Sequence, residues 1–193
     1  AVFIDIGANA GFYSALVAKR LGQDGLVLSI DPSPREYARL LWAREHNAHA
    51  CRWICLNEGA SFESSTLELQ VHSNHTGMNS FAGKEMNATS ITVPVRTMDS
   101  MALQLPDLYE GRPIDLMKID VEGWEPQVLQ GCNMLLERKL ILKLIVEITP
   151  DWLKQNGRSK EELYTYLKAF KLMPTNSSDS WQYDELFELS LDN

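Results

Sequence analysis

The sequence predicts an α/β fold, a doubly wound and mostly parallel sheet with helices on both faces and an inserted β-hairpin between the third and fourth strands. Three observations carry that prediction. Short apolar runs alternate with stretches of helical periodicity up to residue 56 and again from residue 114. A glycine-containing turn, Gly7-Ala8-Asn9-Ala10-Gly11, joins the first apolar run to the first helix. In the middle of the chain, two segments alternate polar and apolar side chains, as strands with one solvated face do.

Val2 to Ile6 is the first buried strand, stopped by Gly7, and Gly11 to Leu21 follows as a helix. Leu26 to Ile30 is the second strand, closed by Asp31. Ser33-Pro34-Arg35-Glu36 then starts a helix, with Pro34 at its first position and Ser33 and Glu36 spaced as a capping box. That helix runs to His46, and a third strand covers about Cys51 to Leu56. Thr66 to Val71 and Ile91 to Val95 form the inserted hairpin, followed by a helix from about Ser100. Ile114 to Ile119 is the fourth strand, a helix ends at Gly131, and Leu140 to Ile148 is the fifth strand. Thr149-Pro150 opens a helical turn, and Ser159 with Glu162 caps a helix through Phe170. Weaker strand signals lie at Lys171 to Met173 and Glu185 to Leu191.

The 193 residues are 45% hydrophobic, enough for one domain with a self-sufficient core, and no linker or repeat divides them. The net charge of −8 makes a dedicated nucleic-acid binder a poor match, because such proteins need cations to displace counterions. No apolar run approaches the ~20 residues of a membrane span. Three cysteines, Cys51, Cys55 and Cys132, form no even framework and are expected as buried free thiols in a cytoplasmic setting.

The chemistry concentrates at strand ends. Asp5-Ile6-Gly7-Ala8-Asn9-Ala10-Gly11 lets the backbone approach a ligand closely, with helix N–H groups free to receive it. Its spacing places Gly7, Asn9 and Gly11 at offsets 0, 2 and 4, whereas the dinucleotide fingerprint wants glycines at 0, 2 and 5. Asn9 and Phe12 stand where two of those glycines belong, so S-adenosylmethionine fits better than NAD, and a nicotinamide-dependent oxidoreductase is the alternative enzyme. Asp31 ends the second strand where an acid accepts both ribose hydroxyls of a nucleoside; the plainer alternative is a solvated loop acid. Asp120 and Glu122, at the end of the fourth strand, and Glu147, near the end of the fifth, are positioned as a carboxylate cluster. Such a cluster serves as a general base or holds a hard divalent cation. Alternatively, Asp120 caps the next helix and Glu122 pairs with Lys118.

These segments together resemble the FkbM family of methyltransferases. The resemblance rests on Val2 to Tyr13, Asp31-Pro32-Ser33, Thr97-Met98-Asp99-Ser100 and Met117 to Glu125, and continues through Val128 to Gly131 and Leu144 to Ile148. It covers residues 2 to 150 in the expected order. It implies a Rossmann-like class I methyltransferase that uses S-adenosylmethionine to methylate a hydroxyl on a small molecule or glycan. It further implies that Asp5, Gly7, Ala8, Asn9 and Gly11 form the turn facing the methionine end and that Asp31 binds ribose. Asn57, Glu58, Gly59 and Ala60 then lie by the adenine, and Asp120 and Glu122 are the catalytic candidates. No resident metal is expected. The elements that usually precede the first strand are absent, which keeps open a non-catalytic nucleotide-binding module of the same fold. The region around Phe170 also lacks the expected glycine-tyrosine pair.

Other signals carry less. His72 and His75 have a zinc-like spacing but no Cys or acid partner, and read as an exposed loop. Asp99-Ser100 reads as a cap for the helix that follows. Trp124 is placed to wall the acceptor site.

Overall fold

The computed structural model describes residues 1–72, 76–81, 88–175 and 180–190. In chain order these form β1 (Val2–Ile6), α1 (Phe12–Ala18), β2 (Leu26–Ile30), α2 (Pro34–His46) and β3 (Arg52–Leu56). The insertion holds β4 (Gly59–Ala60), β5 (Ser65–Val71), a 3-10 turn at Thr76–Met78 and β6 (Thr89–Arg96). Then come α3 (Met98–Ala102), α4 (Pro106–Tyr109), β7 (Leu116–Ile119), α5 (Glu125–Gln130), α6 (Asn133–Glu137) and β8 (Lys143–Ile148). The chain closes with α7 (Pro150–Gln155), α8 (Lys160–Ala169), β9 (Leu172–Pro174) and β10 (Tyr183–Leu189).

Seven strands build the main sheet in the order β3-β2-β1-β7-β8-β10-β9. The first five run parallel, and β10 is antiparallel to both its neighbours. Strand order reverses between β1 and β7, so a crevice opens beyond their carboxyl ends, where open α/β sheets bind ligands. Alternation along the strands sorts the two faces. Phe3, Val27 and Trp53 pack with Ala18, Leu40 and Ala43 of α1 and α2, while Ile4, Leu28, Met117 and Ile119 pack with Val128, Leu163 and Leu167 on the other side. Gly11 makes the α1–α2 contact possible, since a Cβ there would come 2.6 Å from Leu40 Cδ1.

The insertion is larger than the hairpin read from the sequence. β5 and β6 pair antiparallel from Ser65↔Val95 to Val71↔Thr89, and β6 also pairs parallel with β4, giving a three-stranded sheet. Gly59 and Ala60 are too short and too small to signal a strand by pattern. Two caps also differ from expectation. Ser33 Oγ receives the Glu36 N–H, but the Ser33 N–H goes to Asp31 Oδ1 at 2.9 Å rather than back to Glu36. Glu36 pairs instead with Arg35 and Arg39. Thr97, not Asp99, caps α3, and Asp99 reaches across to accept the Met134 and Leu135 N–H groups at the start of α6.

The second half of the chain follows the expected order with shifted boundaries. The helix at Ser100 begins at Met98, and the last strand begins at Tyr183 rather than Glu185. Cys51, Cys55 and Cys132 are buried free thiols, and burial raises all three. Among the described residues no helix is long and apolar enough to cross a membrane. His75 lies outside the described residues.

Candidate active site

A cavity of about 290 Å³ lies beyond the carboxyl ends of β1, β2, β7 and β8. Gly7, Asn9, Asp31, Gly59, Asp120 and Glu122 line it together with Glu147. The turn after β1 is shaped by glycine. Gly7 has φ 81°, and a Cβ there would fall 1.8 Å from the Asp120 carbonyl oxygen. The Gly7 and Ala8 N–H groups both donate to the Ile30 carbonyl at 3.0 Å, and the Asp120 N–H donates to the Ile6 carbonyl. The first turn, β2 and the acidic segment after β7 are thereby locked together.

Asp31 is buried at one end of the cavity. Its Oδ2 accepts the Asn9 N–H at 2.8 Å and its Oδ1 the Ser33 N–H. Burial pushes its carboxyl up to about 7, against the pull of those two donors. Each carboxylate oxygen carries a second lone pair, so this acid can still receive a diol. Of the other expected residues, Ala8, Gly11, Asn57 and Glu58 stand behind the wall. Asn57 Nδ2 donates to the Asp31 and Pro32 carbonyls, fixing the loop that presents Asp31. Glu58 pairs with Arg96 at 2.8 Å, leaving Gly59 and Ala60 to face the cavity. Ala8 is buried in the turn and Gly11 is packed on Leu40.

Asp5 is only 1% exposed and does not line the cavity. It ends a buried polar chain that runs under the sheet. Trp53 Nε1 donates to Ser29 Oγ at 2.8 Å, Ser29 to Ser14 at 2.7 Å, and Ser14 to Asp5 Oδ2 at 2.5 Å. Asp5 and Lys118 are register partners on adjacent strands, so they share a face. Lys118 Nζ then bonds Asp120 Oδ2 at 2.5 Å beneath the Tyr13 ring, whose centroid is 4.9 Å away. Burial lowers the Lys118 pKa, but Asp120 and Asp5 outweigh it and the net shift is upward.

The acidic end is built by an unusual loop. Glu122 has φ 53° and Gly123 φ 92°, and buried Glu125 ties them down by accepting the Val121 and Gly123 N–H groups through Oε1. Burial raises the Glu125 carboxyl to about 7. Asn156 closes the loop from the other side by donating to the Gly123 carbonyl at 2.6 Å. Glu125 was missed as a site residue; its signal is an acid in the first turn after a loop that must turn left-handed. Asp120, Glu122 and Glu147 each bring one oxygen to within 4.8 Å of the others. The structure therefore gathers the three carboxylates, and Lys118 pairs with Asp120, not Glu122. Trp124 does not line the cavity: its ring stands 5.8 Å from that of Phe81, which does, and its indole N–H donates to Ser61.

A family model, the methyltransferase FkbM domain, matches residues 5–172. The chain belongs to this family. Comparison with curated proteins finds no match. Among solved structures, it is similar to a protein titled as an rRNA methylase from Clostridium thermocellum, with 13% identity, a TM-score of 0.54, and coverage of 97% of this chain and 85% of that one. It is also similar to the fibrillarin pre-rRNA processing protein of Methanococcus jannaschii, with 12% identity, a TM-score of 0.53, and coverage of 98% and 66%. At such identities the likeness establishes the fold, that of a Rossmann-like methyltransferase.

In this FkbM domain the carboxylates differ in character. Burial raises the Glu147 carboxyl, and Asp120, able to share its proton, and Glu122 push it further, to about 8. Glu147 Oε1 accepts from Gln182 Nε2 at 2.6 Å. A carboxyl whose folded pKa lies above its ordinary value stabilises the fold most at low pH. Its contribution is lost as pH rises from about 4.5 through about 8. Glu147→Gln removes the titrating group while keeping its shape, so it is expected to remove that loss. Thermal melts from pH 5 to 9 should show a flatter profile, with the variant more stable by roughly 1–2 kcal/mol at pH 9. A variant profile parallel to the wild type would contradict the assignment. The same three oxygens have the chemistry to hold a hard cation.

Proposed function

We propose that this domain transfers a methyl group from S-adenosylmethionine to a hydroxyl oxygen of a small molecule or glycan. The observation that carries the proposal is the layout of one cavity, with Asp31 at the end of β2, the Gly7–Asn9 turn beside it, and Asp120, Glu122 and Glu147 toward β8. A nucleoside fits the first of these and a sulfonium-bearing tail the last, because a cation is favoured among carboxylates. The missing side chain at Gly7 lets the turn after β1 pack directly on the Asp120 carbonyl, which fixes the two segments that face the cavity against each other.

When bound, the cofactor supplies a methyl group activated for in-line displacement. The chain's own residues then hold and prepare the partners. Asp31 accepts the ribose hydroxyls, and the turn after β1 fixes the tail. Asp120, held by Lys118, is the base that takes the acceptor's hydroxyl proton, and Glu122 and Glu147 orient the acceptor. Positioning two reactants this way supplies much of the acceleration. The cavity lining holds three acids, which favours a neutral hydroxyl over a polyphosphate backbone as acceptor. Incubation with methyl-labelled S-adenosylmethionine and a panel of hydroxyl-bearing metabolites and oligosaccharides tests the reading. Label is expected in an ether linkage on one class of acceptor. Label confined to RNA or to a nitrogen acceptor would contradict it.

A further inference from the structure

We propose that Phe81, carried by the inserted ribbon, contacts the cofactor and forms the aromatic wall of its adenine end, which makes the ribbon part of the cofactor site. This rests on the S-adenosylmethionine reading above.

The geometry begins at Gly59. A Cβ on that residue would come 2.9 Å from Phe81 Cζ, 3.0 Å from Cε2 and 3.0 Å from Val95 Cγ1. The Phe81 ring therefore lies directly against the backbone after β3, in space that any other residue at position 59 would occupy. Trp124 supports the ring from a second side, with centroids 5.8 Å apart and planes inclined by 57°. The segment that carries the ring is pinned at its preceding residue. Ser80 exchanges backbone hydrogen bonds with Gln70 of β5, at 2.9 and 3.2 Å, and its hydroxyl donates to the Glu122 carbonyl at 2.7 Å. Phe81 is thus a fixed part of the cavity lining.

In the lining, Ile30 and Pro32 flank Asp31, Ala60 follows Gly59, Leu69 and Phe81 come from the insertion, and Asp120, Glu122 and Glu147 come from the ends of β7 and β8. A flat heteroaromatic base attached to a sugar held by Asp31 needs apolar surface within the same cavity, and the Phe81 ring against Gly59 supplies it. Ring-on-base contact is tolerant of substituents but sensitive to loss of the ring. Among the described residues that line the cavity, Phe81 alone is aromatic.

Calorimetry with S-adenosylhomocysteine and with adenosine, on the wild type and on Phe81→Ala, Phe81→Leu and Phe81→Tyr, tests the proposal. Phe81→Ala is expected to weaken both ligands about tenfold, Phe81→Leu to recover only part of the loss, and Phe81→Tyr to bind as the wild type does. Proton NMR of bound adenosine supplies a readout that packing alone would not move. The adenine H2 and H8 resonances should shift upfield on binding to the wild type, and that displacement should shrink in Phe81→Leu, which retains apolar bulk and decides the matter if Phe81→Ala does not fold. Wild-type affinity and unchanged adenine shifts in Phe81→Leu would overturn the role of Phe81 while leaving the cofactor reading intact. A wild type that binds neither ligand would overturn the cofactor reading itself.

Discussion

Gly7→Ala is expected to abolish binding of S-adenosylmethionine and to lower the melting temperature by roughly 10 °C or more. Two costs combine. The backbone at Gly7 sits at φ 81°, which costs an alanine on the order of 1 kcal/mol. The new Cβ would also lie 1.8 Å from the Asp120 carbonyl oxygen and 2.9 Å from its carbon, and these are backbone atoms that no rotamer change can clear. Relief requires the turn after β1 and the segment after β7 to separate, which breaks the Asp120 N–H to Ile6 bond and displaces Asp31's donor at Asn9. Both ends of the cavity move together. Gly22→Ala is the control, since a Cβ there meets nothing within 4 Å. It should leave binding unchanged. A Gly7→Ala protein that binds the cofactor normally would mean that the turn does not shape the site.

Asp120→Asn is expected to lower methyl transfer by at least a hundredfold while cofactor affinity stays within about twofold. Asparagine preserves shape but cannot take the acceptor's proton, and its amide would meet the Lys118 ammonium as a poorer partner than a carboxylate. Lys118 holds the Asp120 carboxylate in place through an ion pair of 2.5 Å. The assay is transfer from labelled cofactor to the acceptor found by screening, with calorimetry run on the same preparations. Full turnover in Asp120→Asn would move the proton-accepting role to Glu122 or to a cation held by the cluster.

Much of this was legible in the sequence because local and tertiary preferences agree. Val2–Ile6, Leu26–Ile30 and the helix from Pro34 to His46 fall where apolar runs, Pro34 and Ser33 place them. The acids at strand ends were legible for the same reason, since a strand's end fixes where the next residue lies. What was hidden depends on contacts distant in sequence. Nothing local shows that Asp5 turns under the sheet toward Ser14 and leaves the cavity, or that Asp99 caps α6, a helix some 35 residues later. Phe81 was silent because its meaning comes from Gly59 and Trp124, each distant in sequence. Glu125 was read within its motif but without a role, which appears only with the left-handed Glu122–Gly123 loop it holds.

The proposed occupant of the cavity at the ends of β1, β2 and β7 is S-adenosylmethionine, with Asp31 on its ribose. Isothermal calorimetry of the wild type and Asp31→Ala against S-adenosylmethionine, S-adenosylhomocysteine and NAD tests it most directly. The wild type is expected to bind both adenosyl ligands and not NAD, and Asp31→Ala to lose at least tenfold, since two charge-assisted hydrogen bonds disappear. Binding of NAD without the adenosyl ligands, or equal affinity in Asp31→Ala, would contradict it.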